Sequence, residues 1–451
     1  VFVLPVYPVC TFPPPLPLAG EGEGSPTAKP SRLSTKPERV SVMREEERKQ
    51  VVDTLPEVDS ISEEAVARAR ALIGTRLRTE QYTRDASLGA LINFVNGIGD
   101  ANPLFRDQEY AAFCKYGSVV GHPCAPYMRH WSGRTRWGLP GVHGFFAGND
   151  WEFFRVLRPG DAVNCVERVL DVQEKESRYS AKLVIQYVET IYTNQRDELV
   201  ARVVGWCTRH QRRASRERGK YADLPKRHQY AEAELEAIDQ QVLNEKPRGS
   251  APRYWEDTEA GEELTPIVRG PLSLQDVSAF LVGTGRSSAH GVLLREALRH
   301  PDHYFRNPEA GGGLEYTGIG HLRDSVAEAV GVPGAYDYGP QRVSWLGTLM
   351  TNWIGDDGFL KRLRVECRRF NVYGDTQWCK GQVLRKYLHN NVPLVDVEIW
   401  AENQRGEVTA PGFATVMLPS RNPKVPWFTD GSGLSLRDVP LGESTPPILP
   451  A

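Results

Sequence analysis

The chain has 451 residues, with 55 lysines and arginines against 57 aspartates and glutamates. This length exceeds one ordinary hydrophobic core, so two domains are expected. The balanced charge argues against a nucleic-acid partner, and no apolar run in the sequence approaches the roughly 20 residues that span a bilayer. Seven cysteines without a C-x-x-C pair predict reduced thiols in a cytoplasmic protein rather than a disulfide framework or a zinc site.

The beginning of the chain differs from the rest in composition. Residues 1–42 are rich in Pro and Gly and fit neither a secretory signal nor a core element, so a disordered extension without a function is expected. Ordinary composition begins at Met43, which leaves the alternative that the upstream stretch is not native. Residues 421–451 form a second tail.

Residues 43–210 predict helices followed by an antiparallel meander. Ser60 and Glu63 have the spacing of a capping box at the start of a helix over residues 60–74. A second helix is predicted over residues 85–96. Alternating or β-branched stretches then predict four strands, at residues 151–156, 161–172, 179–193 and 199–210.

Residues 211–250 are polar and dense in charge. They predict a linker with one solvated helix, and the alternative is a charged docking tail. A second domain is predicted over residues 251–420. Its basic stretch at residues 360–370 is either a half-exposed strand or a contact for phosphate groups.

The pattern of the first domain returns in the second. Three pairs recur in the same order, which indicates a duplicated domain. The offset rises from 186 at Phe94 to 214 at Asp161, so the second copy carries about 28 extra residues between these points, placed at 284–313. The pairs are Phe94 with Phe280 (280 − 94 = 186), Asp161 with Asp375 (375 − 161 = 214, as for Cys165 and Cys379), and Gln195 with Gln404 (404 − 195 = 209).

One long helix stands at the centre of the second copy. Pro340 suits its first turn, Gly355 is a plausible end, and the apolar residues between them predict a buried element. First-turn amides have no partner within a helix and lie at the positive end of its dipole, so they can hold a developing negative charge. Tyr338, Gly339 and the nearby His321 are therefore candidate site residues.

Residues 99–105 read G-D-A-N-P-L-F, which resembles the G-D-x-N-P-L-H signature of the MaoC-like, (R)-specific enoyl-CoA hydratases and dehydratases. Residues 158–161 resemble their N-terminal, FAS1-like dehydratase domains, and residues 253–419 resemble their C-terminal domain. The resemblance implies an α+β, tandem (double) hot-dog fold, in which each half is a curved antiparallel sheet around a central helix.

The activity that the resemblance implies is reversible hydration of an enoyl-CoA thioester in fatty acid metabolism, a hydro-lyase reaction. Coenzyme A would enter as part of the substrate, no other cofactor is expected, and a homo-oligomer is possible. In the family an Asp and a His five residues later move the protons. This chain departs from that pattern twice when Ala111 is aligned with Ala327: Phe105 then stands opposite His321, and Asp100 stands opposite Tyr316.

Two hypotheses follow. In the first, the second copy is catalytic: His321 is the acid and base, Glu315 or Asp324 polarises it, and Gly339 with Tyr338 binds the thioester oxygen. In the second, the pair has been lost and the protein only binds acyl thioesters as a subunit of a hydratase complex. A thioesterase is a third possibility. Asp100 and Asn102 are assigned to substrate binding, with turn capping as the alternative.

Other candidate site residues have weaker support from the sequence. His143 lies at a glycine-rich corner that fits a loop histidine. His300 and His303 lack a third ligand, so no metal is predicted. The sequence has no G-x-G-x-x-G between a predicted strand and a helix and no G-x-x-x-x-G-K-[ST], so no dinucleotide or nucleoside triphosphate is predicted. The serine hydrolase pattern G-x-S-x-G does not occur either.

Overall fold

In a computed structural model of the chain, the described residues are 61–79, 83–133, 138–139, 142–175, 182–210, 227–286, 293–299, 304–316 and 318–425. All of them belong to one compact unit, Met43–Ala451. The predicted extension at 1–42, the first part of the linker, His300 and His303, and most of the tail lie outside these ranges. The domain boundaries stay predictions.

The helices fall in two groups on either side of the linker. The first-half helices are α1 (Glu63–Arg70), α2 (Leu88–Ile98) and α3 (Gln108–Ala112). The linker holds α4 (Glu232–Leu243), which confirms the predicted helix there. The second-half helices are α5 (Leu274–Gly283), α6 (Leu293–Arg299), α7 (Asp324–Ala329) and α8 (Gly339–Ile354).

The strands of the first half are β1 (Arg76–Leu77), β2 (Asp85–Ala86), β3 (His143–Phe153), β4 (Asp161–Ala162), β5 (Asn164–Lys175), β6 (Leu183–Thr193) and β7 (Leu199–His210). Those of the second half are β8 (Ile267–Arg269), β9 (Tyr304–Asn307), β10 (Gly313–Tyr316), β11 (Phe359–Glu366), β12 (Gln377–His389), β13 (Val392–Asn403) and β14 (Val408–Met417).

Ten of these strands form one antiparallel sheet in the order β1-β5-β6-β7-β3-β11-β14-β13-β12-β8. The second half of this order mirrors the first, and β3 pairs with β11 at the centre. In that pair Arg364 lies opposite Asp150, and the two have the same sequence spacing as the repeated Asp161 and Asp375. The approximate twofold axis therefore passes through this pair, and the α+β, double hot-dog fold is confirmed.

The long helix is where the sequence places it. α8 begins at Gly339, with Pro340 in its first turn, and Gly355 ends it. Every residue from Pro340 to Ile354 is buried. At the corresponding place in the first half, the short 3₁₀ turn Ala125–Met128 follows His122 and Pro123. When Ala111 is aligned with Ala327, His122 and Pro123 fall one position away from Gly339 and Pro340.

The duplication predicted from the sequence has a structural basis. In the first half Gln195 donates to Asp161 and accepts the N–H of Ala162, at 3.2 and 3.0 Å. In the second half Gln404 donates to Asp375 and accepts the N–H of Thr376, at 2.5 and 3.1 Å. The repeated residues thus close the same strand junction in both halves, because a carboxylate and an amide can each satisfy backbone groups in a turn.

The predicted alignment of the two halves is confirmed as well. The 3₁₀ turns Pro103–Phe105 and Ile319–His321 have the same spacing as the starts of α3 and α7, and this is also the spacing of Ala111 and Ala327. Phe105 and His321 therefore occupy equivalent positions. Within the extra residues 284–313, the described part holds α6 and β9, and β9 pairs with β10 as a hairpin.

Several predicted boundaries were wrong by a few residues. α1 begins after Ser62, whose side chain accepts the N–H of Ala65, not at Ser60. α2 begins at Leu88 because Ser87 caps it, while Asp85 pairs in β2 with β4. β3 begins at His143, well before the predicted start at residue 151, so the predicted corner histidine lies in the strand.

The part of the basic stretch at 360–370 that lies in β11 differs from the prediction, whereas Arg368 and Arg369 beyond the strand are exposed, and a phosphate contact there stays a prediction. β11 is buried almost throughout, so it is not half exposed. Arg362 binds Asp150 through two nitrogens, at 2.7 and 2.5 Å, and Arg364 binds Asp150 and Glu366, at 3.4 and 3.0 Å. These arginines neutralise buried carboxylates at the centre of the sheet. They do not face solvent, where a phosphate could reach them.

Candidate active site

His321 lies at the beginning of the buried helix. It ends the 3₁₀ turn before α7, and its main-chain oxygen accepts a hydrogen bond from the Tyr373 hydroxyl at 2.8 Å. Its ring stacks on Tyr338, with 3.8 Å between centroids, and lies 4.2 Å from Tyr336. Tyr338 immediately precedes Gly339, the first residue of α8. The predicted neighbours His321, Tyr338 and Gly339 are therefore together.

The hydrogen bonds of His321 define its tautomer. Nδ1 lies 3.1 Å from the main-chain oxygens of Tyr336 and Asp337. Carbonyl oxygens only accept, so Nδ1 carries the proton in the neutral ring and the lone pair is on Nε2. The backbone thus orients the imidazole with its basic nitrogen on the other side.

The start of α8 is closely packed. Gly339 is the first helical residue, so its N–H has no acceptor within the helix. A Cβ on Gly339 would lie 2.0 Å from Cδ1 of Phe146, a residue of β3. Only glycine allows this approach between the second-half helix and the first-half strand.

Glu315 and Asp324 bond to groups other than His321. Glu315 accepts hydrogen bonds from Asn307 at 2.6 Å and Arg323 at 2.7 Å. Asp324 accepts the N–H of Ala335 and a bond from Arg227, both at 2.8 Å. Their predicted role of polarising the imidazole stays a prediction, and the orienting bonds on Nδ1 come from carbonyls.

The sequence reasoning missed Asp337. This carboxylate is buried and binds Arg342 through Nε at 2.9 Å and Nη2 at 2.5 Å, and Asn371 donates to it at 3.2 Å. The pair fixes the turn that carries Tyr336 and Tyr338 beneath His321. The only signal for it was an acidic and a basic residue on either side of a predicted helix start.

Asp100 and Asn102 build the corresponding turn of the first half. Asp100 Oδ1 accepts the N–H of Asn102 at 2.8 Å, and Asn102 accepts the N–H of Leu104 at 3.0 Å. The capping geometry weighed as the alternative is therefore present, and substrate binding stays a prediction. Asp100 Oδ2 accepts a bond from Thr348 of α8 at 3.0 Å.

His122, which the sequence reasoning also missed, faces the same carboxylate. Its Nε2 lies 3.8 Å from Asp100 Oδ2, and both side chains are fully buried. Burial lowers the pKa of His122 to about 3 and raises the pKa of Asp100, although the N–H of Asn102 and the charge of Arg269 oppose the rise. No motif spacing connects His122 with Asp100, so only the fold reveals this pair.

A narrow pocket adjoins this second pair. Its cavity volume is about 50 Å³, and Asn102 and His122 line it together with apolar side chains and the end of α8. Within the described ranges, no group of three or more His, Cys, Asp or Glu side chains could hold a metal ion. Nor does any helix among the described residues have the length and hydropathy to cross a membrane.

Comparison with known proteins agrees with this architecture. Residues 71–203 match the family described as FAS1-like, dehydratase domain region. A solved structure of a MaoC-like dehydratase is similar, with a TM-score of 0.54, 13% identity, and 78% of this chain and 99% of that chain covered. This likeness supports the fold alone. No curated protein matches the chain at a significant level.

Two further solved structures have lower scores. A MaoC-like dehydratase from Phytophthora capsici has a TM-score of 0.44 and 13% identity, with 79% of this chain and 99% of that chain covered. A Mycobacterium tuberculosis protein described as a double hot dog has a TM-score of 0.43 and 12% identity, with 76% and 96% covered.

Proposed function

We propose that this chain, whose residues 71–203 belong to the FAS1-like dehydratase domain family, catalyses reversible hydration of an enoyl-CoA to a 3-hydroxyacyl-CoA. The observation that carries the proposal is the stacking of His321 on Tyr338, directly before the first residue of α8. An imidazole and a set of helix N-terminal amides are thereby next to each other.

Hydration requires a base for water, an acid for the α carbon and donors for the thioester oxygen. In the proposed mechanism, Nε2 of His321 removes a proton from water as the hydroxide adds to the β carbon. The thioester oxygen gains negative charge and is held by the N–H of Gly339. The imidazolium then returns its proton to the α carbon, so the reaction needs no further reactant.

A second candidate is a subunit that binds acyl thioesters without converting them. It is favoured by Tyr316 at the position of the motif aspartate. The two candidates differ in one measurable property, which is turnover.

The test is to incubate the purified chain with crotonyl-CoA and with longer and branched enoyl-CoAs, and to follow the loss of absorbance of the conjugated thioester. His321→Ala should lower kcat by about 10²- to 10⁴-fold, the usual contribution of a general acid and base. His389→Gln, at the far end of β12, is the matched control and should keep wild-type activity.

Binding without turnover in the wild type would favour the subunit. Release of free thiol would instead identify a thioesterase. Full activity in a folded His321→Ala variant would remove His321 from the mechanism, even if the hydratase reaction itself were real.

A further inference from the structure

The imidazole of His321 is oriented by the backbone of a turn. Its Nδ1 lies 3.1 Å from the main-chain oxygens of both Tyr336 and Asp337. Two carbonyl oxygens hold the ring in one tautomer only while both point at the same nitrogen. The direction of the peptide groups that follow residues 336 and 337 therefore decides whether Nε2 keeps its lone pair.

Asp337 also carries the side chain that anchors this turn. Its carboxylate is buried and accepts bonds from Nε of Arg342 at 2.9 Å and from Nη2 at 2.5 Å. Asn371 donates to the same carboxylate at 3.2 Å. A bidentate pair of guanidinium and carboxylate fixes the relative orientation of its partners as well as their distance. One residue thus offers its carbonyl to the imidazole and its carboxylate to the protein core.

The partners of Asp337 are themselves bound to the second-half sheet. Arg342, the fourth residue of α8, donates through Nη1 to the main-chain oxygen of Arg369 at 2.8 Å. Asn371 accepts a bond from Gln377 of β12 at 3.0 Å, and Gln377 accepts the hydroxyl of Thr409 in β14. Because these groups are buried and bonded in series, the turn has little freedom to rotate.

His321 and the start of the turn are held from another direction. The Tyr373 hydroxyl donates to the main-chain oxygen of His321 at 2.8 Å, and the N–H of Tyr373 donates to Ala335 at 2.9 Å. Asp324 accepts the N–H of Ala335 at 2.8 Å. Both sides of the contact between the imidazole and the carbonyls are therefore fixed, one through Tyr373 and the other through Asp337.

We propose that Asp337 is a positioning residue for His321: together with Arg342 it holds the turn at residues 336–338 so that the imidazole keeps its proton on Nδ1 and its lone pair on Nε2. The chain thereby keeps a carboxylate that serves the imidazole, although Tyr316 stands at the position of the motif aspartate. The inference rests on the proposed role of His321 in hydration, whereas the tautomer that it predicts can be measured without turnover.

A charged pair suits this task better than a neutral hydrogen bond. Charge-assisted bonds are shorter than neutral ones and about twice as strong. Asp337 and Arg342 are each 2% exposed, so solvent and salt screen their attraction little. Precision matters here because a misplacement of about 1 Å, caused by a residue that does not touch the substrate, can lower turnover about 100-fold.

The test measures the tautomer of His321 by nitrogen NMR of the full chain labelled at histidine side chains. The signals of His321 are identified by their loss in His321→Ala. In the wild type, Nδ1 should be protonated and Nε2 unprotonated. Asp337→Asn removes the charge but keeps the shape of the side chain, and it should give a mixture of the two tautomers.

Turnover is measured on the same proteins with crotonyl-CoA. Asp337→Asn should lower kcat about 10- to 100-fold, because a fraction of the rings then presents a protonated Nε2 or a displaced one. The KM should stay within about 2-fold of the wild type, since Asp337 acts through the imidazole and leaves binding of the substrate unchanged. A general loss of folded protein would not produce this difference between kcat and KM.

Asp150→Asn is the matched control. Asp150 and Arg362 form another buried bidentate pair, at 2.7 and 2.5 Å, between the central strands β3 and β11. Breaking it should lower stability about as much as Asp337→Asn does, because each change leaves a buried arginine with one carboxylate fewer. The tautomer of His321 and the kcat should nevertheless match those of the wild type.

A double variant covers the case in which Asp337→Asn does not fold. Asp337→Asn with Arg342→Gln removes both buried charges and leaves two amides that can bond to each other, so it should fold. The bidentate bond is absent from this protein as well. His321 should therefore still give a mixture of tautomers.

The outcomes separate this role from the hydratase reaction. A changed tautomer in the Asp337 variants, without hydration by the wild type, would support the positioning of the imidazole and reject the proposed function. An unchanged tautomer in either folded variant would overturn the inference, and hydration by the wild type would then leave the proposed function standing. An equal change in Asp150→Asn would also overturn it, because general loosening of the protein would be the cause.

Discussion

Gly97 and Gly283 lie against each other where α2 crosses α5, with an added Cβ on Gly97 only 3.1 Å from the Cα of Gly283. Their separation along the chain equals that of the repeated Phe94 and Phe280. The first helix of each half therefore meets its own repeat at an equivalent residue. This contact and the central strand pair are two places where the approximate twofold axis is directly visible.

Gly97→Ala should destabilise the protein by about 1 to 3 kcal/mol, because the new methyl group would lie 2.7 Å from the main-chain oxygen of Ala279 and force the helices apart. Gly89→Ala in the same helix is the matched control. Its methyl group would meet no described atom within 4 Å, so it should stabilise the helix by up to about 1 kcal/mol. Urea unfolding of both variants measures the difference. Equal effects would show that the helix crossing is not tightly packed.

Gly339→Ala should lower both stability and hydration activity. The methyl group would collide with the ring of Phe146 and displace the first turn of α8, where the thioester oxygen is proposed to bind. The backbone of Gly339 has no positive φ, so the effect is one of space. Adding Phe146→Ala should recover stability, which thermal unfolding measures. If the double variant is no more stable than Gly339→Ala alone, the cause is not this contact.

The sequence predicted features that depend on local pattern. Pro340 and Gly355 bound α8 as expected, and the repeated Asp161 and Asp375 revealed the duplication because each is required by the same turn. It could not predict His122, which meets Asp100 because both side chains pack against α8, at Gly347 and Thr348. Nor could it show that Arg362 is buried, since its carboxylate partner lies on a strand of the other half.

Asp150 should be among the most sensitive polar residues of the sheet. Asp150→Ala would leave Arg362 and Arg364 buried beside each other with one carboxylate fewer, at a cost of about 3 to 5 kcal/mol. Glu402→Ala removes the partner of Lys380 in a partly exposed pair and should cost about 0 to 1 kcal/mol. Thermal unfolding compares the two. Similar losses would mean that the central pair is hydrated and not desolvated.

The pKa of His122 gives a signature in the pH dependence of stability. Its pKa is about 3 in the folded protein against 6.5 for the free side chain, because burial penalises the charged ring. Between these values the unfolded chain binds a proton that the folded chain does not. Stability from this group is therefore complete above about pH 6.5 and is lost as the pH falls towards 3.

Because of this group, the free energy of unfolding should fall by about 1 kcal/mol for each pH unit between pH 6 and pH 4. The contribution is measured as the difference between the wild type and His122→Gln. The raised pKa of Asp100 acts in the opposite direction, since protonation of a buried carboxyl group favours the folded state as the pH falls. Asp100→Asn should thus make the acid loss steeper while His122→Gln makes it shallower. Parallel curves for the three proteins would mean that the pair is open to water.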